Sequence, residues 1–144
     1  MDTDILYTDQ GKDRLRQAIE RAEMHTSGEI RLHIDSFCKG EVLDRAAFVF
    51  NKLGMNKTEL RNGVLFYLAT KDRKFAILGD AGINEKVPAN FWDDIKERVL
   101  GGFKSGNYIE TLEWAIEQAG ANLRHYFPRE RDDQNELSDE ITFE

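Results

Sequence analysis

Residues 64–69 read Val-Leu-Phe-Tyr-Leu-Ala, six apolar side chains in unbroken succession. A strand turns successive side chains to opposite faces, so a run with no polar member is a strand covered on both sides. It is far too short to span a membrane, which takes about 20 apolar residues. A chain with such a segment therefore needs at least two further layers to cover it. The rest of the sequence supplies candidates.

After the short polar link Lys71-Asp72-Arg73 comes Phe75-Ala76-Ile77-Leu78, a second apolar run, stopped by Gly79-Asp80-Ala81-Gly82. Two such runs joined by a polar turn predict an antiparallel hairpin. Upstream, Ile30, Leu32 and Ile34 alternate with Arg31, His33 and Asp35, the period of a strand with one buried face. Helical spacing brackets these strands. Leu15, Ala18, Ile19 and Ala22 form a stripe that starts near Thr8-Asp9, with Thr8 as N-cap, and ends before Gly28. A second stripe runs over Leu43, Ala46, Ala47, Phe50 and Leu53 and stops at Gly54. Phe91, Ile95 and Val99 mark a third helix, weakened at its end by Gly101-Gly102. Leu112, Ala115, Ile116, Ala119 and Leu123 mark a fourth. Asn107 and Glu110 have capping-box spacing before it, and Pro128 closes it.

The order α, β, α, β, β, α, α has one crossover, which makes the first two strands parallel. The third runs back beside the second. The expected fold is α/β, a three-layer α/β/α sandwich with a small mixed sheet of three or four strands, any fourth coming from residues read as loop. It occupies residues 1–128 as one domain. Residues 129–144 hold seven acids against two bases and little aliphatic content, so a disordered acidic tail is expected there. Most of the net charge of −7 lies in that tail. Nothing provides the basic stripe that nucleic acid requires. No signal peptide, membrane span or lipid anchor is read. The single Cys38 excludes an internal disulfide and a cysteine-rich metal site. A monomer in the reducing cytoplasm, with an unidentified protein partner and no membrane association, is the expectation.

Topology also selects which polar residues meet. Glu29 begins the first strand, Asn62 precedes the second and Asp80 ends the third, so all three fall at one edge of the sheet, among Gly28, Gly63, Gly79 and Gly82. Asp93 and Asp94 follow on the first or second turn of the next helix. Carboxylate, amide and backbone oxygens are hard ligands, which suit calcium or else magnesium better than a soft transition metal. Glu29, Asn62, Asp80, Asp93 and Asp94 are therefore the candidate metal ligands. The competing explanation for Asp93 and Asp94 is the helix dipole alone. At the opposite edge, Asp35 and Asp72 could act as paired carboxylates, although an Asp-Arg turn is ordinary turn chemistry. No catalytic set is recognised: His25, His33 and His125 are scattered, and no phosphate-binding loop, nucleophile elbow or zinc-binding helix motif occurs. Trp92 and Trp114 read as core residues.

Gly28-Glu29-Ile30, Asn62-Gly63-Val64-Leu65, Asp72-Arg73-Lys74, Gly79-Asp80-Ala81-Gly82-Ile83 and Phe103-Lys104-Ser105-Gly106-Asn107-Tyr108 follow one another as motifs do in the TPM-domain family, which the chain resembles over residues 8–127. The resemblance implies an α/β/α sandwich and a divalent-cation site, calcium above all. Some relatives are described as acid phosphatases of the thylakoid lumen or as photosystem repair factors, and others are uncharacterised bacterial proteins. Many carry a signal peptide and a membrane anchor, neither of which is read here. Many also have Gly-Tyr-Gly where this chain has Gly79-Asp80-Ala81-Gly82. The function expected is a non-enzymatic, calcium-binding module of protein assembly or maintenance. The alternatives are a metal-dependent acid phosphatase, with Asp80 or Asp94 assisting, and a protein-interaction domain without metal.

Overall fold

In the computed structural model, which describes residues 3–129 and 137–144, the all-apolar run lies inside the sheet, as its composition requires. Strand β2 (Gly63–Ala69) is buried at every position. It is flanked by β1 (Glu29–Asp35), parallel to it, and by β3 (Lys74–Gly79), antiparallel to it. A fourth strand, β4 (Thr142–Phe143), lies parallel to β1 on its other side, so the sheet order is β3-β2-β1-β4. The sheet is mixed, has four strands and is covered on both faces.

The two faces are unequal. Ile30, Leu32 and Ile34 of β1 and Val64, Phe66 and Leu68 of β2 point into a large core. That core is built with α1 (Asp9–Glu23), α4 (Asp93–Lys104) and α5 (Tyr108–Leu123). Each fully buried side chain of this size contributes about 1.5–3 kcal/mol relative to exposure. The opposite face carries one helix, α2 (Val42–Lys52), whose Ala46, Val49 and Phe50 cover Leu65, Tyr67, Ala69 and Ala76. Thr8 caps α1 as its position predicts, its hydroxyl accepting from Gly11 N at 3.0 Å.

Several expectations need correction. Strand β1 was expected to bury one face, but His33 is 3% and Asp35 2% exposed, because α2 and β4 cover the polar side too. Gly79–Gly82 does not simply end β3: Ala81–Lys86 form a short helix, α3, with Asp80 as its N-cap. Gly82 is needed there for packing, since a Cβ would stand 2.2 Å from the Leu60 carbonyl oxygen, and its N–H bonds Arg61 O at 2.8 Å. The Asn107 side chain makes no capping hydrogen bond to α5. Its backbone N–H is committed to Gly102 O at 3.1 Å, and Gly106, in the left-handed region at φ 80°, donates to Phe103 O at 3.0 Å. Those two bonds end α4 in a Schellman turn. Residues 137–144, the end of the segment expected to be a disordered tail, return to the sheet: Leu137 packs against the core on the α2 side, and β4 pairs with β1. Residues 130–136 of that tail lie outside the described residues.

Candidate functional site

The main chains of Glu29, Asn62 and Asp80 adjoin at one edge of the sheet, as topology predicts. Glu29 N donates to Asn62 O at 3.1 Å, and Asp80 N to Gly63 O at 2.9 Å. Their side chains turn to different partners. Glu29 Oε1 accepts from Leu137 N at 2.6 Å. Asn62 Nδ2 donates to Ser27 O at 3.0 Å. Asp80 receives both Nε and a terminal nitrogen of Arg61 at 2.7 Å, and its Oδ1 also accepts from Ala81 N at 2.8 Å. Asp93 and Asp94 are the first two residues of α4 and are exposed, where the helix dipole favours them. Among the described residues, the one group of three histidine or carboxylate side chains whose ligand atoms lie within 4.8 Å of one another is His33, Asp35 and Glu144.

Of that group the sequence reading weighed only Asp35, and not with these partners. Alternation on β1 puts Arg31, His33 and Asp35 on the α2 face, and β2 brings Tyr67 beside His33 in register. Asp35 accepts from His33 Nε2 at 2.8 Å, from Arg45 Nε at 2.8 Å and from the Tyr67 hydroxyl. Since a carboxylate only accepts, Nε2 carries the imidazole proton. Burial alone would raise the Asp35 pKa. Hydrogen bonds from Arg45, Tyr67 and His33 outweigh it and hold the carboxyl below its ordinary value. The same burial, with the bond to Asp35, pushes the Tyr67 hydroxyl up. Glu144 is in turn engaged by Arg45 and Lys52. A cation entering here would displace two basic side chains and accept an imidazole nitrogen, a poor exchange for a hard ion. The arrangement is a saturated buried network that locks β1, β2, α2 and β4 together.

The side chains of Asp35 and Asp72 turn to different partners. Asp72 Oδ2 instead accepts from Cys38 N at 2.7 Å, tying the segment after β1 to the hairpin turn. Cys38 itself is buried. Arg73 follows at φ 53°, a conformation few non-glycine residues adopt.

That turn meets the α4–α5 junction. Leu68, Thr70 and Arg73 on one side and Leu100, Phe103, Lys104 and Tyr108 on the other enclose a cavity of about 240 Å³. Phe103 packs edge-on against Phe75, with ring centroids 5.9 Å apart, and lies 5.1 Å from the Tyr108 ring. The Schellman turn at Gly106 reverses the chain so that both aromatics reach this place. The walls are apolar, and the exposed Arg73 and Lys104 add two cations. Two motifs some 30 residues apart in sequence thus line one cavity.

The sequence model of the TPM domain matches residues 1–122. No curated protein matches the chain. Among solved structures, the BA42 protein of the psychrophilic bacterium Bizionia argentinensis is 42% identical, with a TM-score of 0.90, over 95% of this chain and 94% of that one. The N-terminal domain of a P. gingivalis protein superposes with a TM-score of 0.67 at 19% identity, over 83% of this chain and 78% of its own. The N-terminal domain of the cg2496 protein of Corynebacterium glutamicum does so with a TM-score of 0.62 at 13% identity, over 79% and 72%. The latter two show the shared fold alone. By the match over residues 1–122 and the likeness to BA42, the chain belongs to the TPM-domain family.

Proposed function

We propose that this TPM domain works by binding a protein partner rather than by catalysis, and that the cavity between the β2–β3 hairpin and the α4–α5 junction is where the partner docks. The observation that carries this reading is the convergence of Arg73 with Phe103, Lys104 and Tyr108 around one apolar cavity. Apolar walls with two cations suit an apolar side chain that has a carboxylate beside it. Arg73 holds a left-handed backbone conformation in a tight turn, the kind of local strain that clusters at binding sites. The buried acid nearest in chemistry to a general base, Asp35, has its oxygens engaged by His33, Arg45 and Tyr67, which supports a non-enzymatic role. N-acetyl-leucine carries both required features in one small molecule. Amide NMR should show saturable shifts at Thr70, Arg73 and Lys104 with the acid and much weaker ones with N-acetyl-leucinamide. Equal responses to acid and amide, or no response, would sink the reading.

Calcium binding, with magnesium as the alternative, is a second reading, and Asp80 favours it. This carboxylate is 6% exposed, yet its cationic partner Arg61 has a side chain 49% exposed. A dication would take the place of that guanidinium on Asp80. Asn62, whose amide nitrogen is engaged by Ser27 O, would offer its oxygen. Titration with Ca²⁺ should move the amides of residues 80–94, Asp80→Asn should abolish the movement, and Arg61→Ala should strengthen binding. Amides that stay still under millimolar calcium would remove this reading and leave the first intact.

A further inference from the structure

We propose that an open cavity on the α2 face of the sheet, separate from the sites above, binds a phosphate-like oxyanion. It has a volume of about 520 Å³ and lies where the end of α2, the 3-10 turn Met55–Lys57 and the returning residues 137–138 meet β1. Arg31 enters it from the middle of β1, Lys52 from the last turn of α2, Lys57 and Thr58 from the turn, and Ser138 from the returning segment.

The observation that points to a ligand is a pair of unmet hydrogen-bonding atoms. Among the described residues, three buried side-chain polar atoms have no partner, and two of them, Arg31 Nε and Thr58 Oγ1, belong to residues lining this cavity. Thr58 is 4% exposed. A buried donor left unpaired forfeits its hydration with nothing in return, and the penalty is larger when it is charged. Proteins seldom retain two such atoms among the residues lining one cavity without a partner to satisfy them.

The charge balance says what the partner is. Among the described residues no carboxylate lines the cavity, although the chain as a whole carries −7. Among the described residues Arg31 and Lys57 make no ion pair, while Lys52 is held by Glu144. Burial lowers the Arg31 pKa and no neighbouring acid opposes it, so its positive charge stands uncompensated. A planar guanidinium, an ammonium group and two hydroxyls are all donors toward one space. A tetrahedral oxyanion supplies acceptor oxygens in several directions and charge to match, and an Arg-phosphate pair is among the stronger hydrogen-bonded contacts. Among the described residues no hydroxyl lining the cavity is hydrogen-bonded to a base, so the inference is binding, not turnover.

The test is an amide NMR titration of the full chain at constant ionic strength. Inorganic phosphate is one probe, and glycerol 3-phosphate distinguishes a phosphoryl group on an organic molecule from the free ion. Saturable shifts at Arg31, Gly54, Lys57, Thr58 and Ser138 are expected with at least one of them, at a Kd of about 10 mM or tighter. Arg31→Gln should weaken binding about tenfold or more. Should that variant fold poorly, Lys57→Ala, on an exposed side chain, must show the same direction of effect. Thr58→Val separates ligand binding from a structural role. Its hydroxyl has no internal partner, so the variant should melt no earlier than the wild type while binding phosphate more weakly. The proposal is overturned if neither probe produces saturable shifts at about 20 mM, or if the shifts are unchanged in both Arg31→Gln and Lys57→Ala.

Discussion

His33 Nδ1 lies 2.8 Å from the hydroxyl of Thr142, a residue 109 positions further along the chain. This contact joins the polar side of β1 to the strand that covers its outer edge. Glu144 N adds a backbone bond to Ile34 O at 3.1 Å, and Phe143 packs 5.2 Å from the Tyr7 ring. Thr142→Val removes the hydroxyl and leaves a buried ring nitrogen without its partner. The expected loss is about 1–2 kcal/mol in urea unfolding, together with faster amide exchange along β1. A variant with unchanged midpoint and exchange would show that β4 is not held by this bond.

Asp35 is the hub of the buried network, so its removal should be the most damaging polar substitution on the sheet. Asp35→Ala strands the His33 Nε2 proton and the Tyr67 hydroxyl and leaves Arg45 with Glu144 alone, at an expected cost of about 2–5 kcal/mol. Tyr67→Phe removes one donor while Arg45 and His33 still hold the carboxylate, and should cost only about 1 kcal/mol. Chemical denaturation of the two variants checks the ratio. Because the folded Asp35 pKa is depressed, its contribution is present above the unfolded value and is lost as pH falls through the folded one.

Glu23 behaves in the opposite sense. Burial, and then a hydrogen bond with Asp139, push its carboxyl up to about 9, while its Oε2 accepts from Ile30 N at 2.9 Å. A raised folded pKa means that the protonated form is the one the fold accepts. Stability from this group is full below the unfolded value near 4.5 and falls as pH rises from there to about 9. Glu23→Gln keeps a donor toward Asp139 and an acceptor for Ile30. At pH 8 it should stabilise the protein by about 2 kcal/mol, and at pH 4 it should be nearly neutral. Thermal melts of both proteins across this range give the comparison, and equal differences at pH 4 and 8 would contradict it.

Gly120 sets how closely α5 approaches α1. A Cβ there would stand 2.7 Å from the Ala22 carbonyl oxygen and 2.8 Å from its Cβ. Gly120→Ala should therefore destabilise by about 1–3 kcal/mol despite the better helix propensity of alanine. A rise in melting temperature would mean that the two helices separate freely.

The helices α1, α2, α4 and α5, the three main strands and the placing of Glu29, Asn62 and Asp80 at one edge were legible in the chain. Hydrophobic period and glycine punctuation are local signals, and one right-handed crossover fixes the strand directions. The 3-10 turn at Asp4–Tyr7 and helix α3 were not read, because each is too short to show a period. The edge residues came together in their backbones, but their side chains found Leu137, Ser27 and Arg61 as partners. Such pairings depend on direction in space, which spacing along the chain does not record.

By itself, then, the sequence determined which segments become strands and helices and which way the strands run, since those follow from periodic burial. Only the tertiary structure decided that the polar side of β1 is buried, because Arg45 of α2 and Thr142 at the far end of the chain come to lie against it. It alone also placed Arg73 with Tyr108 around one cavity and, among the described residues, left Arg31 Nε and Thr58 Oγ1 without partners in the lining of another. The physical reason is that burial of a polar group is a property of what packs over it, and neighbours in space are not neighbours in sequence.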